Sequence, residues 1–178
     1  MSSTASPAFR LPAALRSRGF ALRPETEYDT PFLLQLYAST REEELAPTGW
    51  TPEQKQDFLS GQFHAQRHHY RTHLPHCAFD ILEHDSVAAG RLYLEARLTQ
   101  LHIVDIALLP VWRGQGIGTA LLKALFDEAI VRSMAVGIMV EKFNPALRLY
   151  RRLGFTGIAD HGVYLEMEWR SAADSYVS

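Results

Sequence analysis

The feature that most limits how this chain can fold is a glycine-rich turn between an apolar segment and a helical one. Arg113-Gly114-Gln115-Gly116-Ile117-Gly118 follows residues 101–109, an almost continuous apolar run that contains β-branched residues. Such a run is typical of a central strand covered on both faces. From residue 121 to residue 130, apolar residues recur at helical spacing. Because the first N–H groups of a helix are unpaired and glycine lets the backbone approach a ligand, the turn predicts a phosphate or pyrophosphate site.

Two common phosphate-binding loops do not match this turn. The nucleotide P-loop requires Lys and then Ser or Thr after its last glycine, whereas Ile117 and Gly118 follow Gly116. The dinucleotide fingerprint requires a third glycine where Thr119 stands, and it opens a βαβ unit. The turn therefore indicates another class of phosphate-bearing ligand.

Hydrophobic periodicity around the turn predicts one mixed α/β domain over residues 19–170. The expected order is β-α-α-β-β-β-α-β-α-β-β, with no internal repeat and no linker that would divide the chain. Start signals at Thr51-Pro52-Glu53-Gln54 and at Asn144-Pro145 open the second and fourth helices. The strands are expected at residues 20–23, 78–82, 87–97, 101–109, 136–140, 155–158 and 163–169.

Residues 1–18 and 171–178 are predicted to be flexible tails. The first is rich in arginine and serine, and no acidic residue precedes Glu25, which loosely resembles an organelle transit peptide. A polar, partly disordered tail is the favoured interpretation, because the segment also contains prolines. The single cysteine, Cys77, excludes an intrachain disulfide and favours a reducing compartment, so we expect a cytoplasmic protein.

Composition argues against two classes of partner, and the histidines give no strong metal site. A formal net charge of -2 gives no sign of nucleic-acid or membrane-surface binding. His64 and His68, like His69 and His73, have the i, i+4 spacing that can hold zinc. A solvated helix face is the favoured interpretation, because no carboxylate stands where a metalloprotease motif requires one. We therefore expect no metal, no nucleic acid and no membrane partner.

Two motifs in this order resemble those of the GNAT superfamily of acyl-CoA N-acyltransferases. Residues 113–118 match the family's acyl-CoA loop, Gln/Arg-x-x-Gly-x-Gly/Ala, and residues 106–110 look like the strand that leads into it. Residues 144–155 are similar to the family's second motif. The resemblance covers residues 20–169 and implies a mixed sheet splayed open in the middle, with acyl-CoA in the cleft. It also implies that an acetyl group is transferred from acetyl-CoA to an amine.

The resemblance further implies which residues hold and use the ligand. Asn144 would contact the pantetheine arm, and Tyr150 would touch the ligand and give a proton to the leaving thiolate. Backbone N–H groups near Ile106 and Leu108 would hold the acetyl carbonyl and the pantetheine amides, if a bulge in the strand exposes them. The pyrophosphate would lie on the loop, which consists of Arg113, Gly114, Gln115, Gly116, Ile117, Gly118 and Thr119.

The group that takes the proton from the amine is left open. The family's frequent glutamate position falls on His102, and a histidine can accept a proton near neutral pH. Asp105 is the rival, because an acidic residue in an apolar strand is costly unless it is paired or functional. Asp105 is explained equally well as a buried hydrogen-bonding anchor, and a water chain is a third route for the proton. Strand alternation predicts that His102 and Asp105 face opposite sides.

The acceptor is expected to be a primary amine of a small molecule or a peptide. The glutamates at 42–44 border the acceptor site in this family, although a solvated helix end explains them as well. Tyr37, Trp50 and Phe63 are interpreted either as an apolar acceptor wall or as core. The alternative function is an inactive acyl-CoA-binding sensor or interaction module. A homodimer is considered because dimers are common in such folds.

Overall fold

A computed structural model describes residues 9–172 of the chain. The helices are α1 (Ala13–Arg16), α2 (Thr30–Leu45), α3 (Pro52–His73), α4 (Ile117–Arg132) and α5 (Leu147–Arg152). The strands are β1 (Phe20–Pro24), β2 (Cys77–His84), β3 (Val87–Ala96), β4 (Gln100–Leu108), β5 (Ala135–Glu141), β6 (Thr156–His161) and β7 (Tyr164–Trp169). Apart from the short α1, this is the predicted order, and the predicted mixed α/β fold is confirmed. None of the helices within residues 9–172 is long and apolar enough to cross a membrane.

Local sequence signals account for the helices that frame the site. A capping box opens α3, in which Thr51 accepts the N–H of Gln54 and the Gln54 side chain accepts the N–H of Thr51. α4 begins directly after Gly116 and ends at Arg132, and both flanking residues, Gly116 and Ser133, have left-handed backbone. The glycine-rich turn therefore leads straight into a long helix, as the sequence predicts.

The strands form one sheet whose two arms meet at a short parallel ladder. The strand order is β1-β2-β3-β4-β5-β7-β6, and only β4 and β5 run parallel among the described strands. The β4–β5 ladder joins Gln100–Ile103 to Ala135–Ile138. Beyond it, β4 continues beside β3 while β5 continues beside β7. The sheet is therefore splayed between β4 and β5, and a gap opens at the end of β4 that leads into the glycine-rich turn.

A β-bulge in β4 changes which side chains share a face. Tyr93 of β3 lies opposite Asp105 and Leu94 lies opposite Ile103, so Val104 is the extra residue. His102 lies opposite Glu95, which is on the same face of β3 as Tyr93. His102 and Asp105 therefore share a face, and the prediction that they face opposite sides is wrong, because strict alternation does not hold across a bulge.

Helices cover the two faces of the sheet unequally. On the face that we call the front, α2 and α3 pack on the β1–β4 arm, with Phe63 and Ile81 in the same buried cluster. On the back, α4 packs against Leu82 and Leu92, and α4 and α5 together cover the β5–β7 arm. The front of the β5–β7 arm carries Tyr164, Glu166 and Glu168 of β7. In the described part of the chain, no helix packs on that face in a buried cluster.

The segment before β1 packs against the back of the sheet. Leu11 and Leu15 are buried in the cluster that contains Phe20 and Ile117. The sequence predicts a flexible tail up to residue 18, whereas in this structure Leu11 and Leu15 attach residues 9–18 to the domain, although most of these residues are exposed. The remaining parts of the two predicted tails, residues 1–8 and 173–178, lie outside the described residues.

Candidate active site

The glycine-rich turn presents its backbone N–H groups to solvent at the start of α4. Gly114 and Gly116 have left-handed backbone, with φ of 69° and 77°, which glycine adopts without strain. Among the described residues, no acceptor is found for the N–H groups from Gly114 to Thr119, and residues 113–116 are exposed. Together with the positive end of the helix dipole, this row of donors suits a phosphate or pyrophosphate.

Arg113 fastens the loop to the rest of the domain. Its Nε donates to the carbonyl oxygen of Leu108 at 2.8 Å, and its Nη2 donates to Ser39 Oγ on α2 at 2.9 Å. Within the loop, Gln115 Nε2 donates to the carbonyl oxygen of Val111 at 2.6 Å. Arg113 thus places a positive charge beside the free N–H groups while holding the loop against β4 and α2.

One edge of β4 is free beyond its ladder with β5. Leu109 N donates to the carbonyl oxygen of Ala89 in β3. Because successive residues of a strand direct their N–H groups to opposite edges, Ile106 and Leu108 direct theirs into the gap that β5 leaves. The bulge that this arrangement requires is present at Val104. The gap therefore has backbone donors that can hold a carbonyl or an amide.

Tyr150 packs its ring in the core and leaves its hydroxyl without a protein partner. The ring lies edge-on to Phe155, with centroids 5.6 Å apart, and the residue is only 4% exposed. Within residues 9–172, the hydroxyl makes no hydrogen bond. Burial, with a smaller effect of the Asp105 carboxylate, raises the pKa of Tyr150 above its ordinary value. The phenol is therefore protonated at neutral pH, as a proton donor must be.

Asn144 lies in an exposed turn before α5. Its Oδ1 accepts the N–H of Ala146 at 2.9 Å, and the helix begins at Leu147. The predicted helix start at Asn144-Pro145 is therefore wrong, because the Asn side chain closes a separate turn ahead of the helix. That turn lies at the end of β5, on the far side of the gap from β4.

His102 is buried on the front of the sheet and held in one tautomer. Its Nδ1 lies 3.2 Å from Gln100 Oε1, and Gln100 Nε2 donates to Glu168 Oε2 at 2.8 Å. Because the amide oxygen can only accept, the proton of the neutral imidazole is on Nδ1, and Nε2 keeps a free lone pair. Burial, assisted by Arg97, lowers the pKa of His102 to about 4, so the ring is neutral at neutral pH.

Asp105 is paired with an arginine that the sequence analysis missed. Arg91 of β3 donates from Nη2 to Asp105 Oδ2 at 2.6 Å and to Gln66 Oε1 on α3 at 3.2 Å. The side chains of Arg91 and Asp105 are 5% and 17% exposed. Burial alone would lower the pKa of Arg91, but the Asp105 carboxylate outweighs it and the pKa lies above its ordinary value. An arginine inside the apolar part of β3, next to a strand with a lone acid, was the signal available in the sequence.

His102 lies within the β4–β5 ladder, whereas Asp105 lies beyond it. The charged groups that act on His102 are Arg97, Glu95 and Glu166. The charged group that acts on Tyr150 is Asp105. Asp105 also lies beyond Ile103, the last residue of β4 that pairs with β5, so it stands where the gap is open. The two candidate bases share a face of the sheet but occupy different parts of β4.

A second ion pair spans the front of the gap. Arg41 of α2 donates from Nη1 and Nη2 to the two carboxylate oxygens of Glu141, with both distances 3.0 Å. The Tyr164 hydroxyl of β7 lies 3.4 Å from Glu141 Oε1. A two-pronged guanidinium–carboxylate contact fixes orientation as well as distance. It ties α2 to the end of β5, and we call it the strap.

A groove of about 680 Å³ lies beside the loop, between α2 and α3. Leu109 and Pro110, which lead into the loop, form part of its lining, and Glu42 stands on it with Lys55. Of the glutamates at 42–44, Glu42 therefore lies at a concave surface near the loop. A groove of this size can take part of a small molecule.

The aromatic residues considered as an acceptor wall are divided between core and surface. Tyr37 and Phe63 are buried together under α2 and α3, with ring centroids 6.0 Å apart. Trp50 is 40% exposed and packs edge-on against Phe58. The first two serve the core.

Two of the histidines of α3, His69 and His73, contact each other. The rings of His69 and His73 stack at 4.3 Å, and His73 Nδ1 lies 3.0 Å from the carbonyl oxygen of His69. In the part of the chain that the structure describes, no group of three or more His, Cys, Asp or Glu side chains is arranged to hold a metal ion.

Similarity to known proteins agrees with this geometry. The model of the Acetyltransferase (GNAT) family matches residues 33–155. No curated protein matches the sequence. Solved structures with a similar fold include PaiA N-acetyltransferase from Thermoplasma acidophilum in complex with coenzyme A, with 17% identity and a TM-score of 0.63 over 85% of this chain and 99% of that chain.

Two further structures share the fold at low sequence identity. An acetyltransferase from Thermus thermophilus has 18% identity and a TM-score of 0.59, over 84% of this chain and 96% of that chain. The ribosomal-protein-S18-alanine N-acetyltransferase from Escherichia coli has 19% identity and a TM-score of 0.51, over 84% of this chain and 90% of that chain. The family match spans the β4–α4 loop, the free edge of β4 and Tyr150. The chain belongs to the GNAT acetyltransferase family.

Proposed function

We propose that the protein transfers an acetyl group from acetyl-CoA to a primary amine of a small molecule or peptide, by direct attack of the amine. The observation that carries this proposal is the row of free N–H groups from Gly114 to Thr119 at the start of α4. Arg113 Nε donates to the carbonyl oxygen of Leu108, which holds this row of N–H groups next to the free edge of β4. A ligand with a pyrophosphate at one end and amides along its length is complementary to both parts.

The residues around the gap would divide the work of binding. The loop from Arg113 to Thr119 would hold the pyrophosphate, and the N–H groups of Ile106 and Leu108 would hold the acetyl carbonyl and the pantetheine amides. Asn144, exposed at the end of β5, would contact the pantetheine arm from the other side. Donors fixed in the backbone need no reorganisation when negative charge develops on the carbonyl oxygen, which lowers the barrier.

Acetyl-CoA supplies the acetyl group as a thioester, whose carbonyl carbon bonds to the amine nitrogen as the C–S bond breaks. Tyr150 would give its hydroxyl proton to the departing sulfur, and burial, which raises the pKa of Tyr150, keeps the phenol protonated at neutral pH. The proton lost by the amine would pass to Asp105, to His102 Nε2 or to a water in the gap. Of these, Asp105 lies beyond the β4–β5 ladder, where the gap is open, while His102 offers a free lone pair.

The first experiment is thermal unfolding with excess acetyl-CoA, with free CoA and with NAD. A ligand that binds only the folded state must raise the unfolding midpoint, by several degrees at concentrations far above its Kd. We expect acetyl-CoA and CoA to raise the midpoint and NAD to leave it unchanged. If neither acetyl-CoA nor CoA raises the unfolding midpoint of protein that was purified free of ligand, the proposal fails at its first step.

Turnover is then measured as thiol release from acetyl-CoA with a panel of small amines and peptides. Release that depends on the amine supports the transferase. Stabilisation by acetyl-CoA without release on any acceptor would instead favour the alternative, an acyl-CoA-binding sensor or interaction module. The two outcomes separate binding by the loop from chemistry in the gap.

A further inference from the structure

We propose that one water molecule is bound in a cavity between α3 and the sheet, where it joins Arg91 Nε to the Tyr70 hydroxyl and to the Glu25 carboxylate. The cavity is lined by residues of α3, β2 and β3 and by Glu25, which directly follows β1. The proposed acetyl transfer uses none of these three side chains, so the water site does not depend on it.

Arg91 gives the first support, because it has a buried donor without an acceptor. Its side chain is 5% exposed, and Nη2 donates to Asp105 Oδ2 at 2.6 Å and to Gln66 Oε1 at 3.2 Å. Nε, in contrast, has no hydrogen-bond partner among residues 9–172. A buried N–H group that lacks an acceptor is unfavourable, and more so on a charged side chain, so we expect an acceptor beside Nε.

The cavity beside Arg91 gives the second support, because its size and its walls suit a water. Its volume is about 10 Å³, which is enough for one water molecule. Seven of the eight side chains that line it carry a polar group, and Phe79 is the exception. Cavities that stay empty in proteins are apolar, whereas buried waters occupy polar sites with about three partners. This cavity is therefore of the hydrated kind.

Glu25 supplies an acceptor for the water. Its side chain is 1% exposed. Oε1 accepts hydrogen bonds from Arg67 at 3.0 Å and from Arg71 at 2.7 Å. Among the described residues, Oε2 accepts only from the Tyr93 hydroxyl. A carboxylate oxygen has two lone pairs, so Oε2 can take one further hydrogen bond from a water.

Tyr70 supplies the third partner. Within residues 9–172, its hydroxyl makes no hydrogen bond, and its ring lies edge-on to Tyr93 with centroids 6.2 Å apart. Burial is the main cause that raises the pKa of Tyr70 above its ordinary value, so the hydroxyl keeps its proton at neutral pH. The water accepts from Arg91 Nε and from Tyr70 and donates to Glu25 Oε2, which satisfies all three groups at once.

The charges at the cavity favour a water over an anion. Three arginines line the cavity, but Arg67 and Arg71 are already paired with Glu25, and Arg91 is paired with Asp105. A second anion would stand beside the buried Glu25 carboxylate, where little solvent screens the repulsion. A water carries no charge and can both donate and accept, as this set of partners requires.

The water completes the contact between the second half of α3 and the sheet. The first half of α3 is held by Leu59, which packs against the apolar cluster that contains Ile81. The second half is held by polar contacts, such as that of Gln66 with Arg91. Buried polar networks stabilise a fold only when each member has a partner, so the water fixes both α3 and Arg91. Through Arg91 it also fixes Asp105, which borders the gap.

The first test is a high-resolution crystal structure of the full chain, together with a crystal soaked in sodium bromide. We expect one electron-density peak in the cavity, about 2.7–3.2 Å from Arg91 Nε, and no anomalous bromide signal at that position. A cavity without density would overturn the proposal, since Arg91 Nε would then have no water as its acceptor. A bromide peak would overturn it as well and would identify an anion site instead.

Coupling between side chains is the second test, and the wild-type crystal decides the matter if a variant does not fold. Tyr70→Phe removes the hydroxyl and keeps the ring, whereas Arg91→Lys removes Nε and keeps a positive charge beside Asp105. If one water joins the two side chains, the fall in the urea midpoint of the double variant should be smaller than the sum of the single falls. Tyr28→Phe is the matched control, since Tyr28 is 95% exposed, and its effect should add to that of Arg91→Lys. Additive falls for Tyr70→Phe would contradict the bridge, whatever the activity of the protein toward acetyl-CoA.

Discussion

The loop before α4 and the front of the gap are built in opposite ways. The loop offers backbone N–H groups, and the residues that shape it lie within a few positions of one another, from Arg113 to Thr119. The front of the gap is built from side chains that come from α2, α3, β3, β4, β5 and β7. A backbone site is specified by a short stretch of glycines, whereas a side-chain site depends on strand register and on pairs far apart in sequence. The first kind suits a ligand shared by a whole family, and the second suits an acceptor specific to one protein.

The sharpest test of the contrast is Tyr150→Phe, which removes one hydroxyl from the gap and leaves the loop intact. We expect turnover to fall by about 10²–10⁴-fold, the usual contribution of a positioned proton donor. Acetyl-CoA affinity, measured by titration, should stay within about twofold, because the ring continues to pack against Phe155. A large loss of affinity with unchanged turnover per bound CoA would mean that Tyr150 belongs to the binding side instead.

Gly116→Val tests the backbone side. Gly116 has φ 77°, and a β-branched residue there is strained, although no protein atom lies within 4 Å of an added Cβ. We expect acetyl-CoA affinity to fall by about 100-fold, or about 2.7 kcal/mol, as the loop shifts and the side chain blocks close approach. Gly61→Ala is the control, since Gly61 lies in α3 with equally free space and an ordinary φ. Undiminished stabilisation of Gly116→Val by acetyl-CoA would show that the loop is not the phosphate site.

His102 gives the front of the gap a pH dependence that the backbone loop cannot have. Its pKa is lowered from 6.5 to about 4, so the unfolded chain takes up a proton below pH 6.5 that the folded one refuses. The free energy of unfolding should therefore fall from about pH 6.5 to about pH 4, by up to about 3 kcal/mol from this residue. Urea unfolding of His102→Asn should lack that component, while His68→Gln, a change at an exposed histidine of α3, should retain it. Parallel pH curves for the wild type and His102→Asn would contradict the prediction.

The smallest effect is expected at the strap. Arg41 and Glu141 are about one-quarter exposed, so Arg41→Ala should cost about 1 kcal/mol, or about 2–4 °C in the thermal midpoint. Lys142→Ala, which breaks a more exposed pair with Asp160, should cost less and serves as the control. If Arg41→Ala also changed KM for amines but not for acetyl-CoA, the strap would belong to the acceptor side. Equal effects of both substitutions would show that the strap is an ordinary surface pair.

The sequence predicts the loop before α4 better than it predicts the side chains at the front of the gap. The order of strands and helices follows from hydrophobic periodicity, and the start of α4 follows from the glycines, because both signals are local. The early placement of the last helix start at Asn144 arose because an Asn that closes a turn and one that caps a helix look alike in sequence.

Local sequence signals do not predict how the side chains at the front of the gap are arranged. The bulge at Val104 requires knowledge of the register between β3 and β4, and without it His102 and Asp105 were assigned to opposite faces. The pairing of Arg91 with Asp105 depends on that register as well. Arg91 had a sequence signal, a charge in an apolar strand, but its partner could be found only by aligning the two strands.

The short β4–β5 ladder has a consequence for how the molecule opens. Within the sheet, the two arms are joined by backbone pairing only along Gln100–Ile103 and Ala135–Ile138 in the described part of the chain, and α4 also couples them because it packs on both arms. A ligand that lies in the gap contacts both arms at once, so we expect it to couple their opening more strongly. The protection of the β6 and β7 amides against hydrogen exchange should then rise when a ligand binds at the loop before α4. Occupancy of the gap is therefore measurable from how cooperatively the whole domain opens.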